Sequence, residues 1–135
     1  MESFVNRPIS KSWVLVAKNY EDLCRDVVRK IFALSEKIIA SRGRFTVALS
    51  GGSTPKGVYA LMAGPEYRDK FRWHKIHFFW GDERWVPADD AKSNYRMAAE
   101  ALLAKVDVPP ENIHPIRTGD GTPETSAALY EKELS

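Results

Sequence analysis

Two short segments concentrate the residue types that bind and transform small polar molecules. The first, Ser50-Gly51-Gly52-Ser53-Thr54-Pro55, joins an apolar β-rich run to a stretch of helical character. Its two glycines let the backbone turn sharply and approach a ligand closely. Ser50, Ser53 and Thr54 add hydroxyl donors, and a helix opening at Pro55 presents unpaired N–H groups at its positive dipole end. These are the components of an anion site, and Lys56 places a cation nearby. Two readings stay open on this chemistry: a phosphate cradle, or a tight strand-to-helix turn whose hydroxyls only cap the helix. Named motifs do not decide it. No Lys-Ser or Lys-Thr pair completes a Walker loop, the Gly-x-Gly-x-x-Gly spacing is absent, and Ser53 lacks the flanking glycine of a nucleophile elbow.

The second segment is Trp80-Gly81-Asp82-Glu83-Arg84-Trp85, three adjacent charges at the carboxyl end of an apolar run. In open parallel sheets that edge is where ligands bind. Arg84 offers a planar fork for phosphate or carboxylate, while Asp82 or Glu83 can accept a proton or hydrogen-bond a sugar hydroxyl. The competing reading is a solvated turn in which Arg84 pairs with its own neighbours. Of the histidines, His77 falls inside a strand, where a hydrogen-bonded, half-buried imidazole is more usual than a catalytic one. His74 and His114 receive no role. No metal-ligand spacing is present and no metal is expected. Trp13, Trp73 and Trp80 read as packing, with Trp85 as the one candidate for lining a pocket.

The elements around these segments follow from periodicity. Ser12 to Ala17 reads as a first strand. Asn19 and Asp22 open a helix from Tyr20 to Ser41, with Leu23, Val27, Ile31, Leu34 and Ile38 as its apolar face and Gly43 as its stop. Phe45 to Leu49 is a second strand, apolar enough to be buried on both faces. A helix runs from Pro55 to Ala63, where Gly64-Pro65 breaks it. Ile76 to Trp80 is the third strand. Ser93 caps a helix over Asn94 to Lys105, Ile113 to Ile116 is a short extended segment at an edge, and Pro123 to Leu134 is the last helix. Strands alternating with helices predict an α/β fold: a doubly wound, mostly parallel sheet with flanking helices, Rossmann-like in layout.

Composition sets the bounds. The 135 residues are 44% hydrophobic and 28% charged, with a net charge of +2, which suits one soluble globular domain. The basic residues are interspersed with acidic ones, so no nucleic-acid face is expected. Cys24 is the single cysteine, and it reads as an inert buried thiol. Met1 to Arg7 has no apolar core of a secretory signal, and no apolar run reaches the ~20 residues of a membrane span. A cytoplasmic location is expected.

Taken together, the two motifs resemble the 6-phosphogluconolactonases, within the wider glucosamine-6-phosphate isomerase/deaminase superfamily. The matching stretches are Phe45 to Pro55 and Phe79 to Pro87, followed in the same order by Ser93-Asn94-Tyr95 and Asn112-Ile113-His114. The resemblance runs from about Trp13 to the end of the chain. It implies hydrolysis of 6-phosphoglucono-δ-lactone to 6-phosphogluconate, in the oxidative pentose phosphate pathway, with no cofactor. It also implies that Ser50, Gly51, Gly52, Ser53, Thr54 and Arg84 grip or flank the substrate phosphate. Asp82, Glu83 and Arg84 then form the catalytic edge. The Trp-Gly-Asp-Glu-Arg form is the lactonase-like one; a sugar-phosphate isomerase or deaminase using Asp82 as base, or a non-catalytic phosphosugar-binding fragment, are the alternatives. Lactonases of this kind carry a later Asp-Gly-His segment whose histidine serves as general base. That segment is expected beyond Ser135, which makes residues 1–135 the N-terminal portion of one such domain. An isolated portion of a sheet is expected to expose an apolar face or edge and to self-associate.

Overall fold

The structure, a computed structural model, describes residues 5–9 and 12–135, with side chains described from Val14 onward. Its elements are strands β1 (Val5–Ile9) and β2 (Ser12–Val16), helix α1 (Tyr20–Arg42), strand β3 (Phe45–Leu49), helix α2 (Ser53–Met62), strand β4 (Ile76–Trp80), helix α3 (Asn94–Ala98) and helix α4 (Pro123–Leu134). The run beginning at Ser12 is therefore a second strand. It pairs antiparallel with β1, Val5 opposite Val16 and Ile9 opposite Ser12. Pro8 lacks an amide hydrogen, so β1 gives little strand signal in the sequence. Trp13 lies outside the described side chains.

α1 forms as its end signals dictate. Asn19 Oδ1 accepts the Asp22 amide at 2.8 Å, Glu21 and Asp22 lie in the first turn, and the Gly43 N–H closes the helix on the Ile39 carbonyl. Its buried positions are Cys24, Asp26, Val28, Ser35 and Ile39, one residue round from the expected stripe. Leu34 is 50% exposed, and Leu23, Val27 and Ile31 instead form one wall of an open groove. α1 packs against α2 and β3 at once, so its apolar surface is wider than a single line of residues.

β3 and β4 pair parallel, Phe45 with Ile76 through Leu49 with Trp80. A bridge from Phe78 to Ile113 extends the parallel pairing into the segment that precedes Pro115. Alternation puts Phe45, Leu49, Ile76, Phe78 and Trp80 into one core with Val28, Ile39, Val58, Met62 and Leu102. The opposite face, carrying Thr46, Ala48, His77 and Phe79, meets the last turn of α4. The architecture is thus a parallel α/β sheet with flanking helices. β3 is buried on one face only, since Thr46 and Ala48 are exposed; its composition concealed this because alanine and threonine tolerate either environment.

α2 begins at Ser53 rather than Pro55, which stands at the third helical position. Ser93 caps α3 by accepting the Arg96 amide. The helix then continues as a π-helix over Ala99–Leu103 and stops before Lys105. α4 matches its expected bounds and is opened by a reciprocal Thr122–Thr125 capping box. Tyr130 ties it to the sheet: its hydroxyl donates to the His114 carbonyl at 2.7 Å and accepts the Trp80 amide at 2.8 Å. No helix among the described residues is long and apolar enough to cross a membrane.

Candidate functional site

The loop leaving β3 is held at both ends by tyrosines. From α2, the Tyr59 hydroxyl accepts the Ser50 amide at 2.8 Å and donates to the Ser50 carbonyl at 3.0 Å. Burial raises its pKa above that of an ordinary phenol, so it stays protonated and keeps both bonds. From α1, the Tyr20 hydroxyl reaches the Ser53 and Thr54 carbonyls at 2.8 and 3.0 Å. Between these anchors Gly52 has φ 101° and ψ 169°, a region open essentially to glycine. No side chain caps α2 at this residue, and the first-turn N–H groups of Ser53 and Thr54 have no intrahelical acceptor. Ser50, Ser53 and Thr54 are all exposed. The result is a rigid loop with free amides and hydroxyls at a helix N-terminus.

The acidic segment is built against a different helix end. Glu83 accepts four hydrogen bonds: from the Arg84 amide at 2.8 Å, the Asn94 amide at 2.7 Å, the Tyr95 amide at 2.9 Å and the Ser93 hydroxyl at 3.2 Å. It thereby satisfies orphan donors at the start of α3. Asp82 is exposed, with its Oδ1 taking a 3.3 Å bond from the Asn94 carboxamide. Arg84 is exposed too, and among the described ion pairs none engages its guanidinium. Val86 accepts a bond from the Thr118 hydroxyl, which fastens the far end of the segment. Trp85 is 43% exposed, and Lys56 is exposed with its charge acting on Glu100.

Asn94 brings the two segments together. Its amide nitrogen also donates to the Asp82 carbonyl at 3.2 Å, while its carboxamide lies against Gly51. A Cβ on Gly51 would stand 2.1 Å from Asn94 Oδ1, so a side chain here would force the Asn94 carboxamide aside. Residue chemistry alone had not singled out Asn94; its place in the Ser93-Asn94-Tyr95 stretch was the available signal.

A second polar cluster lies elsewhere. His77 Nδ1 is 3.1 Å from His114 Nε2, and His114 Nδ1 is 2.8 Å from Glu133. Phe79 stacks on the His114 ring with centroids 4.4 Å apart. With Arg44 and Thr46 these residues line an open cavity of about 610 Å³ on the exposed sheet face. Desolvation, then the neighbouring His114 and Arg44, lower the His77 pKa. His77 lies four residues, about 13 Å of strand, before Gly81, so this cluster stands apart from the loop and Arg84. Cys24 is buried, and among the described residues no group of three or more His, Cys, Asp or Glu is placed to hold a metal ion.

Residues 18–135 match the profile described as glucosamine-6-phosphate isomerases/6-phosphogluconolactonase. The chain belongs to this family. A 6-phosphogluconolactonase of Synechocystis sp. is 52% identical over 99 residues, covering 73% of this chain and 40% of that protein. The crystal structure of a 6-phosphogluconolactonase from Thermotoga maritima superposes with a TM-score of 0.73 at 36% identity, covering 82% of this chain and 49% of that one. A monomeric glucosamine-6-phosphate deaminase, at 18% identity and a TM-score of 0.74 over 87% of this chain and 48% of that one, shares the fold. The chain thus spans less than half the length of these relatives. The family's Rossmann-like layout accounts for the loop after β3 and the acidic segment after β4 meeting at one sheet edge.

Proposed function

We propose that this chain carries the phosphate-recognising side of a 6-phosphogluconolactonase site, as a portion of a single domain of that kind. The observation that carries the reading is the loop itself. Gly52 holds a glycine-only conformation at an uncapped helix start, with the free guanidinium of Arg84 on the neighbouring segment. Such a loop suits a phosphate dianion, which takes backbone amides, hydroxyls and a bidentate arginine. The names of the relatives supply the substrate class, a 6-phosphorylated sugar lactone.

In the reaction, water adds to the lactone carbonyl and the ring C–O bond breaks. The products are a carboxylate, the freed hydroxyl and a proton. Gripping the remote phosphate fixes the carbonyl in place and lowers the entropic part of the barrier. Asp82 faces solvent beside the loop and is the carboxylate available to sugar hydroxyls or to the attacking water. Glu83, with four donors upon it, serves to hold the segment. His77 lies within β4 and His114 packs on His77 and Phe79, away from the loop; the family resemblance implies a histidine of a later Asp-Gly-His segment as the proton acceptor. No cofactor enters the scheme, and a cytoplasmic location suits the substrate.

Calorimetric titration of the 135-residue chain with 6-phosphogluconate and with gluconate tests the reading. Binding of the phosphorylated acid alone is expected. Equal affinity for both removes the phosphate from recognition.

A further inference from the structure

We propose that Asn94 is a positioning residue, the joint that sets the spacing between the anion loop and the Asp82 carboxylate. This rests on the phosphate reading of the loop, and it assigns a role to a side chain that would touch neither phosphate nor reacting atoms. Three observations support it. Asn94 is 5% exposed, yet its carboxamide donates to two acceptors of one residue, the Asp82 carbonyl and Oδ1, at 3.2 and 3.3 Å. Its other side lies on Gly51 so closely that a Cβ there would force it aside. Its own backbone amide is fixed by Glu83 at 2.7 Å, and Glu83 in turn holds the Arg84 amide.

The geometry has a clear physical consequence. The loop is a turn between β3 and α2, whereas Asp82 and Arg84 belong to a turn after β4. Strand pairing sets their separation only up to Leu49 and Trp80. Beyond that point the Gly81 amide still bonds the Leu49 carbonyl at 3.0 Å, and the Asn94 amide plane is the spacer between Gly51 and Asp82. Because a carboxamide is neutral, it orients the Asp82 carboxylate without compensating its charge. A carboxylate at the same position would repel both Asp82 and a bound phosphate, and a smaller side chain would leave Gly51 and Asp82 without a common partner.

The test is a mutant cycle in the full chain, with inorganic phosphate and 6-phosphogluconate as probes and amide NMR as the readout. Asn94→Ala is expected to weaken 6-phosphogluconate binding about tenfold, the order of one lost oriented hydrogen bond. Gly51→Ala is expected to weaken it as well, and Gly51→Ala combined with Asn94→Ala to recover part of the loss, because the alanine removes the obstructing carboxamide. A second measurement needs no ligand. Asp82→Asn should shift the Gly51 amide resonance in the parent chain and leave it unmoved in the Asn94→Ala background, an effect that loss of general stability would not produce. Additive binding losses, or a Gly51 shift that is the same in both backgrounds, would overturn the proposal. If the parent chain binds neither probe, the phosphate reading fails, and the Gly51 shift still decides whether Asn94 is the joint.

Discussion

At the residue scale the site depends on two glycines with different jobs and one arginine with none inside the fold. Gly51 makes room for Asn94, while Gly52 supplies a backbone conformation that side chains avoid. Gly52→Ala should therefore lower stability by about 1–3 kcal/mol through strain alone, read as a drop in the denaturation midpoint. An unchanged midpoint would mean that the loop relaxes without cost. Arg84 lacks an ion-pair partner among the described residues, so Arg84→Ala should leave the thermal midpoint within a degree or two. It should weaken 6-phosphogluconate binding roughly ten- to a hundredfold, the loss of a charge-assisted bond. A large fall in melting temperature would instead place Arg84 in the framework. That the two segments leave the ends of neighbouring strands was legible, because the apolar runs stop at Ser50 and Gly81. The division of labour between Asp82 and Glu83 was not legible, since it depends on which carboxylate meets the start of α3.

At the element scale, most boundaries followed from caps and breakers: Asn19 and Gly43 around α1, Ser93 before α3, Thr122 and Pro123 at α4. The misses have physical reasons. β1 contains a proline, the buried stripe of α1 serves two neighbours, and a π-helix carries no local sequence mark that distinguishes it from an α-turn. The link from β4 to α4 through His77, His114 and Glu133 was illegible because its members are 37 and 19 residues apart. The burial of His77 there, beside His114 and Arg44, makes stability depend on pH. His77 Nδ1 lies 3.1 Å from His114 Nε2, and His114 Nδ1 lies 2.8 Å from Glu133. The folded state lowers the His77 pKa below its ordinary 6.5, so the unfolded chain binds protons more readily and stability is lost as pH falls below about 6.5. Melting temperatures measured between pH 7.5 and pH 5 should decline, and His77→Gln should decline less over the same range. Parallel curves for the two proteins would remove His77 from the effect.

At the scale of the whole molecule, the fold class was readable from the alternation of strands and helices, and an exposed apolar face was expected, whereas its location was not legible. One face of β3 is open, and a groove of about 330 Å³ runs between α1, β3 and α2, walled by Leu23, Val27, Ile31, Val47 and Met62. Apolar surface of this continuity favours association in water. Sedimentation velocity should show the 135-residue chain self-associating with rising concentration, and mild detergent should reverse it. A monodisperse monomer at all concentrations would contradict that expectation. The central claim concerns the edge where the two loops meet. It is tested most directly by mapping the backbone amide resonances perturbed by 6-phosphogluconate. The account predicts that the shifts concentrate at Gly51, Gly52, Ser53, Thr54 and Arg84, and that gluconate produces none there. Shifts confined to the His77–His114 cavity, or the same pattern with gluconate, would contradict it.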